Sequence, residues 1–190
     1  MTVQTLAIIP CTNQKAEQPG KARDLWIGNH FQLILAHAEM FYDKVMIMSY
    51  KYGLIGPDEW IEPYDIDIRY AKAADKLKWW FALRTQIIEM GKSEDKPGLI
   101  ALYTGNFERD RIMREFVRNG MKQVIVPFEG ASVGQRMAKV YDCIEPFDRE
   151  KAEAGGYELP DNFGESGATG EAAKYAPPAS EIDPTDVEWE

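Results

Sequence analysis

The chain has 190 residues, of which 45% are hydrophobic and 12% aromatic, enough for one domain with a sizeable core. No apolar run approaches the roughly 20 residues that a bilayer span requires, and Thr2 to Ile9 is too short for a signal sequence before Pro10-Cys11 ends it, so the expectation is a cytoplasmic protein with no membrane contact. The net charge of −9 belongs to the end of the chain: residues 146–190 carry 12 acidic and 3 basic side chains, whereas residues 1–145 carry 19 of each. The folded part therefore neither repels nor electrostatically favours nucleic acid. Cys11 and Cys143 with His30 and His37 match no metal-ligand spacing, and a disulfide is not expected in a reducing compartment, so the reading is no metal and no cofactor.

In chain order, Val3 to Ile9 reads as a first strand that Pro10 ends. A long polar loop follows to about Gly28, with a turn signal at Pro19-Gly20. Asn29 is a candidate N-cap for a helix to about Tyr42, with Phe31, Ile34, Leu35, Ala38 and Phe41 at helical spacing. His30 and His37 fall on one side of it. They read as one exposed and one packed histidine, with a general-base role as the alternative. Lys44 to Ser49 is the second strand, and Tyr50 to about Arg69 reads as a loop carrying Gly53, Gly56, Pro57 and Pro63. A helix from about Tyr70 to Met90 has Ala74, Leu77, Phe81 and Ile88 as its expected apolar stripe, and Gly91 as its C-cap. Trp79-Trp80 reads as core, with a base-stacking platform as the alternative.

Pro97 to Tyr103 contains the third strand, and Thr104-Gly105-Asn106 leads into a helix from Phe107 to about Arg118. Arg111, Arg114 and Arg118 share a face of that helix. The face reads as solvated and paired with Glu108, Asp110 and Glu115, or alternatively as phosphate-binding. Gln123 to Pro127 is the fourth strand, and Phe128 to Gly134 precedes a helix to about Ile144. From residue 148 to 190, Gly, Pro and acidic residues replace the apolar pattern. Such a segment buries too little apolar surface to offset its ordering entropy, so it reads as a disordered acidic tail after a single α/β domain spanning 1–147.

Four alternations of strand and helix predict a Rossmann-like three-layer sandwich with a mostly parallel sheet of about four strands. Ligands bind such sheets beyond the carboxyl ends of the strands. That edge collects Cys11, Thr12 and Lys15 after strand one, and Ser49, Tyr52 and Gly53 after strand two. It also collects Thr104 and Gly105 after strand three, and Glu129, Gly130 and Gly134 after strand four. The last turn can present backbone N–H groups to an anion, but it is neither a P-loop nor a full dinucleotide fingerprint. Asp58 and Asp65 are candidate acid/base groups, and Lys15 a candidate for neutralising a phosphate or carboxylate. Cys11 and Ser49 have no neighbouring histidine in sequence and read as ligand contacts rather than nucleophiles.

The combination of Ile8-Ile9-Pro10-Cys11-Thr12 and Lys15 with Ala22 to Gly28, Ser49 to Ile55, Pro57-Asp58, Pro63-Tyr64-Asp65 and Glu129 to Gly134 resembles an uncharacterised family common in phage and bacterial genomes. The core is similar to the YaaA-like peroxide-stress proteins, associated with DNA binding. It is also distantly similar to the amidinotransferase-type domain of archaeosine synthase, which modifies a 7-deazaguanine base in transfer RNA. Thr12 stands where the archaeosine-type loop has Ser, and no Pro-Tyr follows Lys15. The resemblance implies a nucleotide or nucleic-acid partner and adds weight to Cys11, Lys15, Ser49, Tyr52, Tyr64 and Asp65 as site residues. The expected function is an enzyme directed at a nucleobase, nucleoside or nucleotide, through base modification or N-glycosidic transfer. The alternatives are a non-catalytic nucleotide- or DNA-binding protein, and an interaction protein acting through its acidic tail.

Overall fold

The computed structural model describes residues 4–104, 109–130, 135–136 and 138–140. Short aliphatic runs make the central strands: β1 (Thr5–Pro10), β3 (Lys44–Ser49), β6 (Leu99–Leu102) and β7 (Gln123–Ile125). β1 pairs in parallel with both β3 and β6, and β6 with β7. A fifth strand, β4 (Gly53–Ile55), turns back antiparallel along β3, so the sheet order is β4-β3-β1-β6-β7. The sequence reading gave about four strands, because three residues after a turn are too few to show a period of two. Gly53 makes the reversal with a φ of 75°, and a Cβ there would collide with the Gln86 side chain. Gln86 itself accepts the Leu54 N–H (2.8 Å) and donates to the Leu54 carbonyl (3.0 Å), as a neighbouring strand would.

Alternate side chains of each strand enter opposite cores, giving three layers. Ala7, Ile9, Val45, Ile47 and Ala101 pack with α1 (Ala22–Leu25) and α2 (Asn29–Phe41). Leu6, Ile8, Met48, Ile100 and Leu102 pack with α3 (Ala73–Lys92) and α4 (Arg109–Arg118). Parallel pairing makes α2 and α3 start at the carboxyl edge of the sheet and run back to its amino edge. Within α2 the N-cap is Gly28 rather than Asn29.

The buried side of α3 is Trp79, Trp80, Leu83 and Ile87, and Leu77 and Phe81 are about half exposed. The stripe expected from Ala74, Leu77 and Phe81 is thus turned from the core, because the two indoles bring the most area to bury and set the helix's rotation. The C-cap is Ser93, two residues beyond Gly91. Gly91 is needed for proximity: a Cβ there would lie 2.5 Å from the Asn119 carbonyl oxygen at the end of α4.

The loops after β1 and β3 are less free than their composition suggests. β2 (Gly20–Lys21) and β5 (Trp60–Ile61) form a two-stranded antiparallel ribbon that ties the two loops together. Ala22 N–H donates to the Glu59 carbonyl and Arg23 N–H to the Pro57 carbonyl, both at 2.8 Å. Among the described residues no helix is long and apolar enough to cross a membrane. Gly105, Gly134 and the proposed tail 148–190 lie outside the described residues.

Candidate functional site

β3 ends on Ser49, which is fully buried, and its hydroxyl anchors the turn that follows. Ser49 Oγ accepts the N–H groups of Lys51 and Tyr52, each at 3.2 Å, and shares a 2.8 Å hydrogen bond with the Tyr64 hydroxyl. The Tyr64 oxygen also accepts the Tyr50 N–H at 3.2 Å. From the other side of β3, Trp79 Nε1 donates to the Ser49 carbonyl at 3.0 Å. Cys11, at the end of the adjacent β1, lies close enough to Tyr64 for the two side chains to shift each other's titration. Its backbone N–H donates to the Met48 carbonyl at 3.1 Å. Ser49, Tyr64 and Cys11, far apart in sequence, thus meet in one knot at the carboxyl ends of the two central strands.

Aromatic and cationic groups surround the knot. The Tyr52 and Tyr64 rings meet edge-to-face at 5.8 Å, and Trp26 meets Tyr64 in the same way at 6.5 Å. Lys15 Nζ lies 4.7 Å from the centroid of the Tyr64 ring, and Lys51 Nζ lies 4.8 Å from that of Tyr52. Tyr52 donates its hydroxyl proton to the Glu62 carbonyl at 3.2 Å.

Burial holds these groups neutral. It raises the Cys11 thiol against the lowering effects of Tyr50, Tyr64 and Lys15. It pushes the Tyr50 phenol up to about 12, assisted by the charge that Cys11 would carry if ionised, and it raises Tyr64 in the same way. At neutral pH the knot is a platform of neutral hydrogen-bonding groups, and Cys11 is a thiol rather than a nucleophilic thiolate.

Two clefts flank this knot on the carboxyl edge. The first, of about 730 Å³, runs from Tyr50 and Lys51 along residues 65–71 to the first turns of α3, where Asp75, Lys78 and Trp79 line it. Asp65 and Tyr70 stand exposed at its side. Asp67 also lines it and is bound by Arg69, whose hydrogen bonds hold the Asp67 carboxyl below its ordinary range. Asn13, from the loop after β1, lies beside the same carboxylate and adds a smaller lowering effect. The second cleft, of about 610 Å³, is lined by Gln14, Lys15, Ile27, Asn29 and His30 at the start of α2. Lys15 of the second cleft and Lys51 of the first both lie near the Tyr64 ring, at 4.7 and 5.9 Å from its centroid.

The other residues singled out from sequence lie apart from the knot. Asp58 is exposed and paired with Lys21 at 3.1 Å and Arg23 at 3.2 Å, on the outer ribbon. It does not cap the following turn, where Glu59 Oε1 instead accepts the Gly56 N–H. Glu129 pairs with Arg109 at 3.0 Å, and Gly130 is exposed with a φ of 73°. Thr104 is buried after Tyr103, whose hydroxyl bonds His37 Nδ1 at 2.7 Å. Thr12 Oγ1 is buried without a hydrogen-bond partner among the described residues. On α4, Arg111 covers the Trp80 ring at 3.8 Å, and Glu115 is buried between Arg84 (3.0 Å) and Arg118 (3.9 Å). Sequence reasoning passed over Tyr50, Asp67 and Tyr70 as cleft residues and read Trp79 as core, with a base-stacking platform as the alternative. The Asp65-x-Asp67-x-Arg69 alternation was the available signal, since it turns its acids to one side of an extended segment.

These features define an α/β domain with paired clefts at the carboxyl edge of a parallel sheet, where such folds bind ligands. The chain belongs to a family of unknown function, DUF6884, whose model matches residues 6–142. No curated protein and no solved structure matches it.

Proposed function

We propose that this protein acts on a nucleobase carried by a nucleoside, nucleotide or nucleic acid, through base modification or N-glycosidic transfer. The supporting observation is the first cleft, which combines an aromatic wall with carboxylates in a volume of about 730 Å³, adequate for a nucleoside. Tyr50, Tyr70 and Trp79 offer the flat apolar surface that a base requires, and stacking of a base on such a ring contributes roughly 1–3 kcal/mol. Asp67, kept ionised by Arg69, accepts hydrogen bonds from base N–H or sugar hydroxyl groups. Asp65, exposed at the cleft, takes the proton of an attacking hydroxyl or water and returns it to the departing base nitrogen. Lys15 holds the anionic part of the ligand. The Ser49–Tyr64 knot fixes the turn that carries Tyr50 and Lys51. The likeness of the loop motifs to the YaaA-like proteins and the archaeosine synthase core supports the same ligand class.

The test is a thermal-shift screen against nucleosides, modified nucleosides and nucleotides at millimolar concentration. A true ligand at about 100 times its Kd stabilises the fold by roughly 2.7 kcal/mol. Tyr70→Ala should weaken it about tenfold, the loss of one stacked ring. Asp65→Asn should retain binding and lose turnover. If no base-bearing compound shifts the melting temperature, the reading is wrong.

A further inference from the structure

The second cleft and its surroundings hold basic groups, two of whose buried nitrogens have no hydrogen-bond partner among the described residues. Lys15 and His30 line it together. Among the described residues, His30 Nε2 is buried with no hydrogen-bond partner, and the same is true of Arg136 Nε. The imidazole is held below its ordinary pKa by burial and by the nearby Arg136 charge. Buried nitrogens left without a partner are costly, and they persist where an anion completes them. The amino end of α2, with Gly28 as a cap that offers no side chain and no acid in its first turn, brings the positive end of the helix dipole to the same place.

From this geometry we infer that the second cleft is a phosphate subsite formed by Lys15 and His30, with Arg136 near the imidazole. Donors arriving from three separate segments suit a tetrahedral oxyanion better than a planar carboxylate, which two donors satisfy. The inference deepens the proposed function, resting on it only for the role of Lys15, and it places the ligand's phosphate across the Lys15–Tyr64 contact from the cleft that takes the base.

The test titrates inorganic phosphate into the full chain at constant ionic strength and follows the imidazole C–H proton resonances. The chain has two histidines, so His37→Gln assigns both signals. Phosphate should move the His30 resonance saturably, leave His37 in place, and raise the melting temperature. Acetate at equal concentration should do neither. Lys15→Ala and Arg136→Gln should each weaken phosphate binding at least tenfold, and Lys51→Ala should not. A phosphate effect shared by both histidines, reproduced by chloride or acetate, or unchanged in Lys15→Ala overturns the inference. Because the histidine signals are read in the wild type, the test survives a variant that fails to fold. A nucleoside that stabilises the protein when phosphate does nothing would overturn the subsite and leave the proposed function standing. Phosphate binding without any response to base-bearing compounds would do the reverse.

Discussion

The loops after β1 and β3 are tied together twice, by opposite means. At the inner end Ser49, Tyr64 and Cys11 meet as neutral groups, buried or half-buried, with the hydroxyls of Ser49 and Tyr64 each engaged with backbone N–H groups. At the outer end Asp58 meets Lys21 and Arg23 as full charges in water. Asp58 is an acid/base candidate from sequence, yet here it is a member of exposed pairs, which contribute little because water and salt screen them. Removing one member of the inner knot strands a buried partner, which costs the desolvation of that group. The inner tie is the one that holds the candidate site.

The largest expected effect extends the contrast to another buried neutral group. His37 is held near a pKa of about 4 by burial, against 6.5 when unfolded. Its folded pKa is depressed, so the unfolded chain binds the proton first as the pH falls. Stability is intact above pH 6.5 and declines towards pH 4, by about 3 kcal/mol from this residue. Urea unfolding of the wild type and His37→Gln across that window should show the histidine's share of the slope disappearing in the variant. If the two curves run parallel, burial is not setting the titration.

Next in size is the knot. Ser49→Ala leaves the Lys51 and Tyr52 N–H groups without their acceptor and should cost about 2 kcal/mol in urea unfolding. Tyr64→Phe keeps the ring and loses one hydroxyl, for about 1 kcal/mol. The smallest effect belongs to the outer pair: Asp58→Ala should melt with the wild type at 150 mM salt. A loss there as large as that of Ser49→Ala would erase the distinction between the two ties.

The alternation of strands and helices was legible because β1, β3 and α2 are long enough to carry a period. β2, β4 and β5 were not, since two or three residues have none, and their pairing depends on partners distant in sequence. The rotation of α3 was misread because size, not the number of apolar residues, decided which face turned inward. Ser49 and Tyr64 were both marked by residue type and come within 2.8 Å, but their contact spans 15 positions that no local pattern encodes. Asp65 was marked and lines a cleft, whereas Tyr50 read only as part of a loop and Trp79 as core, with base stacking as the alternative, and the fold brings both to the cleft wall. His30 was legible as a histidine near a helix start. Its meeting with Arg136 joins two segments more than a hundred residues apart.

Gln86 has a consequence for how molecules of this protein meet one another. Its amide occupies both main-chain hydrogen-bonding groups of Leu54, at the outer rim of the sheet. An uncovered rim of apolar residues such as Leu54 and Ile55 is a template on which another chain can add a strand. Natural edges are more often guarded by a charge or a proline. Here a side chain from a crossing helix stands in for the missing strand, so that lateral association is blocked by the same helix that closes the core.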